Sequence, residues 1–383
     1  MTEMVTYRNL FPHIEQGKVY LNHAAVSPMH RRSLRAMEDY FQERMTGDIE
    51  YWPRAMEKKQ LLKEQIARLI HTSAEQIALV NNTSTGLNIL AMGINWKPGD
   101  RILLNNFEFP ANVYPFLNLN RLGVEIDFVP HRNGRILLDD LAARITPRTR
   151  LLSISFVAFL NGFRNDLMAI GQLCRERGLI FCVDGIQGVG ALQLDVQAAG
   201  IDFLANGGQK WLMWPLGMAF VYISPRLFDQ LQPAIAGWLS VERAWDFFDY
   251  RLSFLPDASR FEPGTQNIPG IVAALASTEL FLEVGIDRIE THILQLTGLL
   301  INELQRRGYR LFTPTEEKFR SGIVTFYHDR AESLFDHLKR QNIHVSLREG
   351  MIRVSPHFYN TAGDIAAFLN ALEDFDQNMR GGK

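Results

Sequence analysis

Lys210 carries the clearest chemistry in this chain. It follows the run Ile201-Asp-Phe-Leu-Ala-Asn-Gly-Gly-Gln209 and precedes Trp211-Leu-Met-Trp214-Pro215-Leu-Gly217. Glycines ahead of it let the backbone approach a bound group closely. Apolar and aromatic neighbours strip solvation from an ammonium, which lowers its pKa and frees the amine as a nucleophile. Such an amine condenses with an aldehyde to give a Schiff base. An isolated lysine of this kind reads more readily as a surface loop residue, and Asp184 changes that balance. Asp184 ends the wholly apolar run Leu179–Val183, which reads as a parallel strand covered on both faces. Ligands of open α/β sheets bind outside the carboxyl ends of the strands. An amine and a carboxylate placed there suit pyridoxal phosphate, which needs a lysine for its aldehyde and an acid for its pyridine nitrogen. Taken alone, Asp184 reads equally well as a helix N-cap.

The combination Val183-Asp184-Gly-Ile-Gln187-Gly-Val-Gly190, Asp202-Phe203, Gly208-Gln209-Lys210-Trp211 and Pro215-Leu-Gly217 resembles the class V aminotransferase group of fold-type I pyridoxal-phosphate enzymes. The resemblance runs from about Tyr20 to about Thr361 and points to the isopenicillin N epimerase-like and cysteine desulfurase-like branches. It implies a Lys210 aldimine with Asp184 beneath the ring nitrogen. It places the cofactor phosphate on Ser84 and Thr85, where Asn81-Asn-Thr-Ser-Thr-Gly-Leu-Asn88 opens a helix whose N-terminus favours anions. Phe109 would stack on the ring, Gln187 would reach the ring oxygen, and Gln209 would lie beside the lysine. Thr265, in Arg260-Phe-Glu-Pro-Gly-Thr-Gln-Asn267, would reach the phosphate of a neighbouring subunit in a homodimer with shared sites. Arg353 would grip the α-carboxylate of an amino acid through two parallel hydrogen bonds. Asn22 and His23 would lie over the substrate side. Arg348, nearby, reads first as solvated surface and second as a reader of another substrate charge.

Three positions depart from the desulfurase pattern. Phe109 replaces a histidine, Phe159 replaces an asparagine, and Gln209 replaces a histidine. Asn342–Gly350, where a desulfurase carries its reactive thiol, has no cysteine. Persulfide-forming desulfuration is therefore disfavoured. The readings that follow are an aminotransferase first, then a C–S or β-lyase or an epimerase, and lastly a non-catalytic binding protein of the same fold. A nucleotide-binding α/β protein lacks both G-x-G-x-x-G after a strand and a P-loop.

The elements that must position these residues follow from periodicity. Apolar runs predict strands over 77–80, 101–104, 124–129, 150–156, 179–183 and 217–223. Helical spacing predicts helices over 29–45, 54–69, 138–143, 167–177 and 268–284, after a short helical lead over 1–19. The resulting class is α/β, a mainly parallel sheet sandwiched by helices in a large domain (16–284). A smaller α+β domain (1–15 and 285–383) holds helices over 287–307 and 364–376 and strands over 322–326 and 344–347. The aromatic stretch from Trp238 to Tyr250 reads as a packed lid or a dimer surface. A chain of 383 residues exceeds one typical core. Its net charge of −2 and lack of a basic block give no reason to expect nucleic acid. No apolar run reaches membrane-span length and no signal-peptide pattern opens the chain, so a cytoplasmic protein is expected. Cys174 and Cys182 read as buried thiols, and no metal site is expected.

Overall fold

The computed structural model describes residues 4–381. The chain opens with a 3₁₀ segment (Met4–Leu10), one helical turn (Pro12–Glu15) and strand β1 (Val19–Tyr20). Residues 1–3 of the expected helical lead lie outside the described residues. Helices Arg31–Thr46 and Trp52–Ile70 follow. A sheet is then laid down by β2 (Ile77–Val80), β3 (Arg101–Asn105), β4 (Glu125–Val129), β5 (Thr149–Ser155), β6 (Ile180–Asp184), β7 (Phe203–Gly207) and β8 (Ala219–Ile223). Its seven strands run in the order β2-β8-β7-β6-β5-β3-β4. All neighbours are parallel except at β8, which is antiparallel to both β2 and β7.

Alternate residues of each strand feed two cores. Phe181 and Val183 of β6 point into one, with Leu152, Leu204 and Phe220. Ile180 and Cys182 point into the other, with Leu104, Phe203 and Val221. Both faces are covered, and the central strands β6, β7 and β8 are buried at every residue. Each fully buried large apolar side chain contributes about 1.5–3 kcal/mol. Helix Ile268–Val284 is buried along most of its length against Arg31–Thr46 and Trp52–Ile70. Gly285 (φ 88°) breaks it, and helix Ile286–Arg306 leaves at 78°.

The C-terminal part adds β9 (Val324–Tyr327), helix Ala331–Arg340, β10 (Ile343–His344), β11 (Ser346–Arg348), β12 (Met351–Val354) and helix Ala362–Gly381. β11, β12 and β9 form an antiparallel sheet. β10 pairs in parallel with β1 from the other end of the chain, Val19 opposite Ile343. Leu21 accordingly lies in the C-terminal core beside Leu300, Phe326, Leu338, Ile352 and Phe368. The single strand predicted over 344–347 is in fact two, broken at the buried Val345. The segment changes partner there, from β1 to β12, so one continuous ladder is impossible. Helix Ala331–Arg340 was not predicted.

Candidate active site

Asp184 ends β6 and is 1% exposed. Its carboxylate accepts the Ile186 N–H at 3.0 Å, a turn contact rather than a helix cap. Burial raises its pKa, and the neighbouring Glu108 adds to the rise. Lys210 lies three residues past the end of β7, on the adjacent strand. Burial lowers its pKa, with Arg353 and Arg348 acting in the same direction and Asp184 opposing them. Its Nζ stands 5.7 Å from the Phe109 ring centroid and has no ion-pair partner among the described residues. The lysine loop is tied down through Trp211, which is fully buried. The Trp211 indole N–H donates to Gln187 Oε1 at 2.9 Å, and its carbonyl accepts from His357 Nε2 at 2.9 Å. Gly208 serves packing more than ligand approach, because a Cβ there would sit 2.2 Å from the Trp214 ring.

Both residues line one cavity of about 260 Å³. Ser84, Phe109, Phe159, Gln187, Gln209, Arg348 and Arg353 line it too, with Ala24 and Ala25. Asn82 caps helix Thr83–Gly93 by accepting the Thr85 N–H at 2.8 Å. That leaves the N–H groups of Thr83 and Ser84 without intrahelical partners. The buried Thr83 hydroxyl, also on the cavity, has no hydrogen-bond partner. Phe109 packs edge-on to Phe159 at 5.4 Å. Gln187 Nε2 donates to the Ala24 carbonyl at 2.9 Å, so one amide hydrogen remains for the cavity.

Arg353 closes the opposite side. It is 2% exposed, unlike an ordinary strand arginine. Nη1 donates to the Phe159 carbonyl at 2.6 Å and Nη2 to Ser346 Oγ at 3.4 Å, while Nε has no partner. Burial, with some help from Arg348, lowers its pKa to about 10. A buried guanidinium with an open donor is poised for an anion.

The structure separates the other expected residues from this cavity. Thr85 faces a second cavity, which it shares with Thr265. Thr265 is not a helix cap; Asn267 caps helix Ile268–Val284 by accepting the Gly270 N–H at 3.1 Å. Asn22 contacts Ser346 Oγ and so reaches Arg353 through one intervening side chain. His23 is fully buried, donating from Nδ1 to the Ser355 carbonyl at 2.8 Å and pairing through Nε2 with the Tyr359 hydroxyl at 2.9 Å. Gly162 (φ 75°) makes a tight turn after β5, where a Cβ would meet the Ile323 carbonyl at 2.5 Å.

Three contributors were not among the expected site residues. Thr83 is one residue ahead of the assigned pair. Arg348 was read chiefly as surface. Glu108 is half-buried, accepting from Ser155 N–H at 2.8 Å, from the Ser155 hydroxyl and from Asn105 Nδ2 at 2.6 Å. Its signal was the placement of an acid just past a strand end, with an aromatic after it.

The pyridoxal phosphate expected from the sequence fits this set. The cavity joins an unpaired amine, a buried acid, an orphan hydroxyl at a helix N-terminus and an aromatic wall. Comparison with known proteins agrees. The model of the family described as aminotransferase class-V matches residues 19–368. An uncharacterised aminotransferase of Bacillus subtilis is 26% identical, with 96% of each chain aligned. A probable cysteine desulfurase of Pyrococcus abyssi is 28% identical, again over 96% of each. The solved apo cysteine desulfurase of Thermococcus onnurineus superposes with a TM-score of 0.88 at 24% identity, covering 97% of this chain and 98% of that one.

Proposed function

The chain belongs to the class-V aminotransferase family of pyridoxal-phosphate-dependent enzymes, and from that premise we propose that it transforms an amino acid at its α-amino group and Cα, as an aminotransferase. The observation that carries this reading is the convergence of Lys210, Asp184 and Arg353 on one cavity.

When bound, the cofactor supplies an aldehyde for the lysine and an electron-withdrawing ring next to Cα. Lys210 would hold the cofactor at rest and, when free, its Nζ would accept the Cα proton. Its lowered pKa keeps a useful fraction of that amine neutral near pH 8, where an ordinary lysine is almost wholly charged. Asp184 keeps the ring nitrogen protonated. Facing a protonated ring nitrogen, the Asp184 carboxylate would be ionised despite its burial. The N–H groups of Thr83 and Ser84, with the Thr83 hydroxyl, take the phosphate. Arg353 holds the α-carboxylate, which orients Cα towards Lys210. Phe109 and Phe159 wall the space against water; neither can carry a proton, so proton transfer falls to the lysine side.

A second reading, β-elimination with loss of a sulfur substituent, draws on the desulfurase relatives. Against a persulfide route, Cys174 and Cys182 are buried in the sheet cores, and the stretch between Asn342 and Gly350 is two strands and a tight turn with no thiol. The homodimer belongs to the same proposal. Thr85 and Thr265 line a cavity away from Lys210 that a neighbouring subunit can complete, and Trp245, Phe247, Phe248 and Tyr250 are exposed close by in sequence.

The test is a panel of amino acids, with and without a keto-acid acceptor, scored for keto acid, for sulfide and ammonia, and for loss of chirality. Keto acid that depends on the acceptor is the expected result. A protein that stays colourless after reconstitution with pyridoxal phosphate overturns the reading.

A further inference from the structure

Arg348 has no part in the chemistry above, and its position is hard to reconcile with an idle surface charge. β11 and β12 are joined by only two residues, Glu349 and Gly350, both with positive φ (47° and 70°). Two-residue turns of this kind lock a hairpin's register. The lock sets Ser346 opposite Arg353 and Arg348 opposite Met351. Side chains alternate across a strand, so Ser346, Arg348 and Arg353 share one face. Leu347, Ile352 and Val354 take the other face and pack in the C-terminal core. A slip of one residue between the two strands would put the arginines on opposite faces and send one of them into that core. The hairpin therefore delivers two guanidiniums together to the cavity wall.

Charge on that wall is unbalanced. Lys210, Arg348 and Arg353 line the cavity, and Asp184 is the one carboxylate that does. Asp184 is committed to the ring nitrogen. Among the described residues no carboxylate pairs with Arg348, not even the adjacent Glu349. All three cations line this one cavity, and Arg348 makes Arg353 and Lys210 harder to protonate. One α-carboxylate satisfies Arg353 and leaves the outer guanidinium open. Arg348 is exposed while Arg353 is buried, so Arg348 is the outer of the two guanidiniums that line the cavity.

We propose that Arg348 reads a second anionic group, so that the substrate is an amino acid whose side chain ends in a negative charge, a carboxylate or a sulfur oxyanion. This rests on the amino-acid reading above and narrows its substrate class. The apolar pair Phe109 and Phe159 contacts the middle of such a molecule, and the two arginines hold its ends.

Calorimetry on the cofactor-loaded protein tests this with unreactive acids of similar length: succinate, 3-sulfopropionate and butyrate. At least one doubly charged probe is expected to bind about tenfold or more tighter than butyrate, and the tighter of the two identifies the terminal group. Arg348→Gln should erase that advantage, and Arg348→Lys should keep part of it. Equal binding of all three acids, or an advantage that survives Arg348→Gln, overturns the proposal. A preference for the charged probes in a protein that transforms no amino acid would support Arg348 as the anion reader and overturn the amino-acid reading alone.

Discussion

The large-lobe side of the cavity takes Asp184 and Lys210 from the ends of two neighbouring parallel strands, whereas the small-lobe side takes Arg348 and Arg353 from one antiparallel hairpin. The first side is held by backbone and by buried partners on its own lobe. Asp184 is pinned by Ile186, and the lysine loop by Trp211 on Gln187. The second side is held across the lobe boundary, Arg353 on the Phe159 carbonyl and His357 on the Trp211 carbonyl. The difference assigns roles. Groups that must keep one geometry towards the ring sit on the sheet. Groups that meet a variable substrate sit on the hairpin, outside the large sheet.

Substitutions on the two sides should therefore fail differently. Lys210→Ala should have the largest effect, removing the visible band and lowering turnover by about 10⁴-fold, the upper range for a positioned proton carrier. Absorption spectra and turnover check it together. Asp184→Asn should keep bound cofactor and lower turnover by about 10²–10³-fold, as for loss of one preorganised electrostatic contact. Arg353→Gln belongs to the other side and should act on KM. Loss of about 2 kcal/mol of substrate binding corresponds to roughly 30-fold, with the resting spectrum intact. Should Arg353→Gln abolish the resting spectrum instead, the division between the sides fails.

A separate, global effect tests the comparison through pH. His357 donates to the Trp211 carbonyl and accepts the Phe358 N–H, a pattern that only the neutral ring supplies, and burial lowers its pKa to about 3. His30 accepts the Ser33 N–H and is lowered to about 4 by burial. His23 is buried and lowered likewise. Below the ordinary histidine pKa of 6.5 the unfolded chain binds protons that the fold refuses. Stability should then fall as pH drops from 6.5 towards 4, by about 1.4 kcal/mol per pH unit for each such histidine. Denaturant unfolding at pH 7 and pH 5 measures it.

The large-lobe side was legible in the sequence because its signals are local. A buried strand followed by an acid, and paired glycines followed by a lysine, can be read without knowing the partner strands. The parallel sheet and the returning β8 came from the same runs. Helix Ala331–Arg340 was missed, although Ala331, Leu334 and Leu338 stand at helical spacing. The small-lobe side was less readable. Its face assignment depends on the turn at Glu349-Gly350 and on the break at Val345, and neither follows from composition. Thr85 and Thr83 differ by two residues, yet the helix turn sends them to different cavities.

The pairing of β1 with β10 bears on how the protein is made. His23 and the Ser355 carbonyl it bonds are 332 residues apart. A ribosome releases the first partner long before the second exists. The sheet from β2 to β8 can gather during synthesis, since its contacts lie within one stretch of chain. The C-terminal lobe has to wait for the last segment, and until then Leu21 and Val19 have no core to join. Closing so long a loop is slow. The nascent large lobe thus spends an interval with one side of its cavity missing, and the finished site appears only when the two ends of the polypeptide meet.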